Sequence, residues 1–436
     1  MQVRLFSWQG AIACAALAAT ALTPATALAQ AATADPANTA WVLTATTLVL
    51  FMTLPGLALF YAGLVQLKHS LSVLMHCTSI ACLVSLLWFA GGYSLFITEG
   101  NAFIGDFSKA FLMNVERGQV FAGLPETGYF MFQMTFAIIT PALIVGAFVE
   151  RMKFSAMLLF VAIWSLIVYA PVAHWVWSEH GWLFQRGVKD FAGGIVVHTT
   201  AGISALVLAA AIGKRAGYPH ELSPPHNPGM TMIGAGMLWV GWYGFNGGSA
   251  LAANADATAA ITCTHLAAST AGLTWAAIEW IKFGRPSLVG VVTGAVAGLA
   301  TVTPASGYIA PGAAAVLGVV ASLLCFFAVQ LVRKRLKIDD ALDVFAVHGA
   351  GGILGSLAVA LLADPAIGGT GFGALPDMPA QAGVQIMAVA VTAVWSAVAT
   401  LGIIALLRAT TGLRAKPEHI EMGLDLSEHG ERAFTP

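Results

Sequence analysis

Between Trp41 and Arg408 the chain strings together apolar runs of roughly twenty residues, separated by short polar connections. Coiled as an α-helix, a run of that length spans the ~30 Å hydrocarbon layer of a bilayer. The supply of charge excludes a soluble alternative. Only 9% of the residues are charged and 58% are hydrophobic, with a mean hydropathy of +0.81, whereas a soluble domain carries about a quarter charged residues. The runs also lack the period-two alternation of a transmembrane barrel. The fold class expected is all-α and polytopic.

Boundaries of 41–63, 71–97, 129–149, 154–177, 191–213, 230–250, 256–281, 287–304, 309–332, 341–362 and 383–408 give eleven transmembrane helices. Lys68, Arg151, Lys153, Lys214, Arg215, Lys282, Arg285 and the run from Arg333 to Lys337 fall in alternate loops. Arg408, Arg414, Lys416 and Arg432 lie at or beyond the end of the last span, while the opposite loops hold only Lys109, Arg117, Arg186 and Lys189. Cations resist translocation, so the richer side is read as cytoplasmic, the C-terminus included. At the other end, Arg4, an apolar core and Ala27-Leu28-Ala29 read as a signal peptide cleaved after residue 29. The mature N-terminus is then outside, and an odd number of spans satisfies both ends. The expected organisation is 1–29 signal peptide, 30–408 membrane domain and 409–436 cytoplasmic tail.

Within this apolar chain one polar pattern occurs twice. "DFAGGIVVHTTAG" runs from Asp190 to Gly202 and "DALDVFAVHGAGG" from Asp340 to Gly352, each with His eight places after Asp and Gly four places after His. His198 falls in the fifth span and His348 in the tenth, and the odd offset of five inverts the second unit relative to the first. Two inverted five-helix repeats plus a final helix follow, an architecture that puts functional groups at the repeat interface. If each Asp marks a membrane face, eight helical residues carry its His about 12 Å deeper, and the two imidazoles meet near the midplane. Polar groups at that depth are costly and usually functional. No further His, Cys or carboxylate stands at ligand spacing, so a metal site is not expected, nor is a cofactor. Cys77, Cys82, Cys263 and Cys325 fall inside spans and read as small hydrophobes, with Cys14 in the signal segment.

"DFAGGIVVHTTAG" resembles the signature of the ammonium transporter family (the Amt/Mep/Rh superfamily, on the bacterial Amt side). "MTLPGLALFYAGL", "FVERMKFSAMLLF", "GMLWVGWYGFNGGSAL", "DDALDVFAVHGAGGILG" and "GLDLSEHGERAF" resemble further family segments in the same order, so the likeness covers essentially the whole mature chain. It implies a homotrimer in the bacterial inner membrane, surrounded by lipid, each subunit holding its own narrow pore for ammonium nitrogen. No nucleic-acid partner is expected.

Carried over residue by residue, the resemblance implies an outer recruitment site at Trp177, Phe136 and Ser249. An aromatic face attracts a cation, and a hydroxyl accepts a hydrogen bond from ammonium, which can only donate. Phe136 and Phe245 would be stacked rings gating the pore, His198 and His348 its proton relay, and Phe60, Tyr61 and Trp242 part of its lining. Asp190, Asp340 and Asp343 read as structural caps at helix starts, with Asp343 shaping the inner exit. The implied function is uptake: NH4+ is recruited and deprotonated, NH3 crosses the hydrophobic pore, and the proton follows separately. The chain departs from the pattern at "SEHGWLFQRGVKD", where Glu179 and His180 stand in place of a glycine-rich turn. The tail resembles one that docks across the inner face, with Gly423 as a hinge and a PII-type nitrogen-signalling protein as cytoplasmic partner. An ammonium sensor with little net transport is the alternative. An enzyme is not expected, because Gly-x-Ser-x-Gly, His-Glu-x-x-His and paired intramembrane carboxylates are missing from the sequence.

Overall fold

Asp35 starts the first helix: its carboxylate accepts the Asn38 amide at 2.8 Å, and Pro36 follows in the first turn, where a missing N–H costs nothing. A computed structural model describes residues 33–221 and 223–433; the expected signal peptide lies outside them. The unit from Ala34 onward is helical. Its first five helices are α1 (Pro36–Leu64), α2 (Leu67–Ile97), α3 (Glu126–Phe148), α4 (Phe154–Trp177) and α5 (Gly194–Ile212). Then come α6 (Pro228–Trp242, continued by a wide turn over Tyr243–Gly247), α7 (Ala255–Phe283) and α8 (Leu288–Val302). They are followed by α9 (Pro311–Leu336), α10 (Phe345–Leu362) and α11 (Met378–Ala409), then by the short tail helices α12 (Pro417–Met422) and α13 (Leu424–His429). A small hairpin, β1 (Val120–Phe121) and β2 (Leu124–Pro125), pairs Val120 with Pro125 in the α2–α3 connection.

Every expected span falls on one of these helices. Among the described residues eight are long and apolar enough to cross a membrane, α1 to α5 and α9 to α11, and the chain is a multi-pass membrane protein. Helices α6, α7 and α8 fall short by length or composition. Burial separates inner from outer rods: 94% of the apolar stretch of α3 is buried against 33% for α11, so α3 runs through the bundle and α11 along its outside. Helix α1 packs along α6, and α5 against the start of α10. Those pairs are the first and fifth members of each expected half. Cys77, Cys263 and Cys325 are buried as expected, but Cys82 is exposed on the side of α2.

Seven wide, π-helical turns interrupt these helices among the described residues. Pro55 explains the one in α1, since its ring displaces the carbonyl one turn back. Two others coincide with the repeated motif.

At the tail-bearing face lies a charge cluster not anticipated from sequence. Arg151 follows α3, is fully buried, and donates to the carbonyls of Ala147, Gly213 (2.6 Å) and Asp339 (3.0 Å). Its guanidinium also reaches the Asp339 carboxylate at 3.2 Å, which in turn holds Arg215 at 2.8 Å. Arg151 and Arg215, orientation signals in the sequence, also bolt the α3–α4 turn to the end of α5 and the approach to α10. Burial lowers Arg151 to about 10, so it remains charged at neutral pH. Burial also pushes Asp339 up, but its hydrogen bonds to Arg215 and the charges of Arg215 and Arg151 outweigh that and leave it below the usual carboxylate range. Removing one member of a buried pair costs roughly 3–5 kcal/mol because the other charge is stranded. Asp339→Ala strands the fully buried Arg151 and leaves Arg215 only the more distant Glu150 at 3.8 Å, whereas Arg151→Met leaves Asp339 its Arg215 partner. Thermal unfolding in detergent should therefore show Asp339→Ala several degrees less stable than Arg151→Met; equal midpoints would contradict this account of the cluster.

Candidate functional site

The two histidines meet. His198 Nδ1 and His348 Nδ1 are 3.2 Å apart, and the rings lie at 5.2 Å and 19° from parallel. Both are buried, at 1% and 4% exposure. An Nδ1···Nδ1 hydrogen bond requires one neutral ring protonated at Nδ1 and the other at Nε2, so the pair holds opposite tautomers. His198 Nε2 has no partner.

The route by which the motif brings them together differs from the expected one. Eight helical residues do not separate each Asp from its His, because α5 begins only at Gly194 and α10 at Phe345. The Asp190 carboxylate explains the delay. It accepts the amides of Gly193 (3.0 Å), Gly194 (2.6 Å), Ile195 (2.9 Å) and Val196 (3.0 Å), so the chain curls around it before the helix starts. Asp340 does less of the same: Oδ2 accepts the Phe345 amide at 2.7 Å and Oδ1 is unpartnered. Burial and the neighbouring Asp343 push Asp340 up to about 7. Asp343 is not a cap. Its backbone is left-handed (φ 58°) and its carboxylate pairs with Arg333 at 2.6 Å and 3.0 Å.

Each histidine thus lies in a wide first turn; the His198 amide reaches five residues back to the Gly193 carbonyl at 2.9 Å. The glycine four places after His completes the arrangement. A Cβ on Gly202 would collide with the backbone of Gly349, and one on Gly352 would lie 2.6 Å from His198 Cβ. Each helix therefore offers a bare glycine to the other's histidine turn, and that close crossing sets the separation of the rings.

A line of aromatic rings leads to the pair. Trp177 meets Phe136 edge-on (5.7 Å, 88°), Phe136 stacks on Phe245 (4.2 Å, 24°), and Phe245 lies 6.2 Å from His198. Trp242 flanks His198 (5.7 Å, 22°), and its indole N–H donates to Thr303 Oγ1 at 2.8 Å. Trp177 donates to the Asp190 carbonyl at 2.8 Å, so the residue that organises the histidine turn also holds the first ring. The Ser249 hydroxyl donates to the Phe245 carbonyl at 2.8 Å, which leaves its lone pairs available. Glu179 and His180 sit at the surface beyond Trp177, with Glu179 largely exposed.

Beside the histidines the space is narrow, about 10 Å³, walled by Phe60, Leu57, Leu143, Trp242 and Phe245; a single water needs roughly that much. A larger cavity of about 260 Å³ continues from His348 past Phe60 and Tyr61 to Arg333 and Asp343. Tyr61 is fixed by its hydroxyl, which donates to the Leu143 carbonyl at 3.0 Å. Sequence reasoning missed the apolar wall (Met52, Leu57, Ile139, Leu143, Val197, Leu238, Val296), because nothing distinguishes one buried aliphatic residue from another before the fold is known.

The tail folds back onto the helices of the same chain. Asp425 accepts the Leu71 and Ser72 amides at 3.0 Å and 2.7 Å, and Glu428 accepts the Phe154 amide at 3.2 Å, so tail carboxylates cap the starts of α2 and α4. Gly423, between α12 and α13, has φ 102°, and a Cβ there would press on the Lys68 carbonyl at 2.6 Å. A side chain at that position is excluded both by the backbone angle and by the contact.

A model of the Ammonium Transporter Family matches residues 40–434. An ammonium transporter of Aquifex aeolicus is 45% identical over 406 residues, covering 92% of this chain and 94% of the relative. The crystal structure of Candida albicans Mep2 superposes with a TM-score of 0.82 at 34% identity, with 88% of each chain covered. A structure described as a sensor Amt protein gives a TM-score of 0.83 at 29% identity, covering 90% of this chain and 98% of that one. The chain belongs to the ammonium transporter family.

Proposed function

We propose that the chain takes up ammonium across a bacterial inner membrane by separating it into ammonia and a proton. The observation that carries this reading is the unbroken line from Trp177 through Phe136 and Phe245 to a buried, mutually hydrogen-bonded histidine pair. Trp177, Phe136 and the free lone pairs of Ser249 recruit the cation. Phe136 and Phe245, stacked at 4.2 Å, close the way to it until they swing apart. Beyond them the walls are apolar, and a bare monovalent cation there loses hydration that nothing replaces. Neutral ammonia does not carry that penalty. His198 and His348 both donate and accept, so a proton can pass along them by exchange of tautomers while ammonia moves beside them. Potassium has no proton to surrender and stays outside.

In the same reading all eleven helices cross, including α6, α7 and α8, whose polar positions are covered by neighbouring subunits of a trimer. The N-terminus is periplasmic and the tail cytoplasmic. Capping of α2 and α4 by tail carboxylates gives the tail a lever on the bundle, and a PII-type protein binding at that face would act through it. A sensor with little net transport is favoured only by the likeness to a sensor Amt protein; ammonium uptake into liposomes holding this chain alone separates the two.

Replacing both His198 and His348 by Ala should reduce ammonium-evoked current in such liposomes at least tenfold with similar protein abundance, and unchanged current and selectivity would contradict the relay. Gly423→Asp should undock the tail and cut transport several-fold while the oligomer persists on gel filtration. Full transport by that variant, with no PII-type protein captured in any nucleotide state, would exclude the regulatory role.

A further inference from the structure

His174 lies in the last turn of α4, one turn before Trp177, and is fully buried. The conduction line does not use it. Its two ring nitrogens face two backbone carbonyls: Nδ1 is 2.8 Å from the Phe96 oxygen and Nε2 is 2.8 Å from the Asn101 oxygen. A carbonyl oxygen only accepts, so each contact needs an N–H on the ring. A neutral imidazole has one. In either neutral tautomer the other nitrogen turns its lone pair on a buried oxygen, and both groups stay unsatisfied in the interior.

Both carbonyls lie where a cation is favoured. At the end of α2 the Ser94 and Leu95 carbonyls take the Thr98 and Gly105 amides at 3.2 Å and 2.8 Å, and the Phe96 carbonyl, otherwise an orphan of the helix end, takes the imidazole. The ring therefore sits against the last turn of its own helix and the last turn of α2, the negative ends of two helix dipoles. In the α2–α3 connection three successive carbonyls point at the end of α4 and the residues after it. Asn101 faces His174, Ala102 accepts the Trp182 amide at 3.1 Å, and Phe103 accepts the Trp175 indole N–H at 2.7 Å. Among the described residues no carboxylate lies within salt-bridge distance of the ring. The titratable groups on the elements around it are engaged elsewhere or face solvent. Tyr93 and Lys109 are on Glu126, Glu179 is beside His180, and Glu99 and Asp106 are exposed. Arg186 lies over Trp182, and His198, at the start of α5, is bonded to His348.

We propose that His174 is a doubly protonated imidazolium at neutral pH, a cationic latch that clamps the α2–α3 connection to the end of α4 and so positions Trp177. The charge rests on this geometry alone; its consequence for ammonium rests on the recruitment role proposed above for Trp177. As pH rises and the ring gives up a proton, one nitrogen becomes an acceptor facing a carbonyl and the latch opens. Glutamine in its place donates from a single nitrogen and cannot span both carbonyls.

Solid-state nitrogen NMR of the full chain in liposomes, with isotope-labelled histidine, reads the ring directly. At about pH 8 exposed histidines are neutral. The difference between the wild type and His174→Gln should then contain two protonated ring nitrogens, and one protonated with one bare nitrogen would overturn the proposal. If the variant does not fold, the wild type decides: no imidazolium signal at that pH refutes the latch. In the same liposomes His174→Gln should raise the ammonium concentration for half-maximal current several-fold, more than it lowers the maximum, and Trp177→Ala should do likewise. A shift with Trp177→Ala and none with His174→Gln would refute the positioning role. No shift with either would refute recruitment at Trp177 and the positioning role with it, while the nitrogen spectrum still decides the charge.

Discussion

Where α5 and α10 cross, backbone touches backbone, and the line of rings that leads to the histidines is placed relative to that contact. Gly202 lies on Gly349 and Gly352 on the His198 turn, so the imidazoles are held at hydrogen-bonding distance by main chain rather than by flexible side chains. Repeating one motif in opposite senses makes this possible, since each copy supplies both a histidine and the bare surface on which the other copy rests. Wide first turns in both helices carry the histidines at the crossing, and such turns recur at functional positions because they reorient a side chain without ending the helix.

Asp190 links this crossing to the aromatic line. Its carboxylate gathers four amides that would otherwise be unsatisfied at a buried helix start, and its carbonyl holds Trp177. Structure and chemistry therefore share one residue: loosening Asp190 would disturb the histidine turn and the first ring together. The buried Arg151–Asp339–Arg215 cluster has the matching role at the tail-bearing face, where it joins the turn after α3 to the approach of α10.

Much of this was legible in the sequence, for identifiable reasons. Helix existence followed from apolar runs of bilayer length, and the pairing of His198 with His348 followed from a motif repeated at an odd helix offset. Recognised segments brought Trp177, Phe136 and Phe245 into one line. What stayed hidden was the path of the backbone. Counting eight helical residues from Asp to His assumed an uninterrupted helix, whereas a buried carboxylate takes up the first amides and delays the helix start to Gly194. Residue type alone makes Asp343 a cap, but the nearby Arg333 captures it. Arg151 looked like a topology signal because its partner Asp339 is distant in sequence. Local patterns report local preference, and these three outcomes were decided by tertiary partners.

In the uptake proposed for this chain, ammonium is taken apart at this line instead of crossing whole. The direct measurement is ammonium-evoked current in liposomes containing only this chain, recorded in H2O and in D2O with potassium present. Separation of the proton predicts a current that slows in D2O beyond the change in solvent viscosity and is indifferent to potassium. A current that follows viscosity alone and is shared with potassium would show an intact cation passing, and would contradict the account.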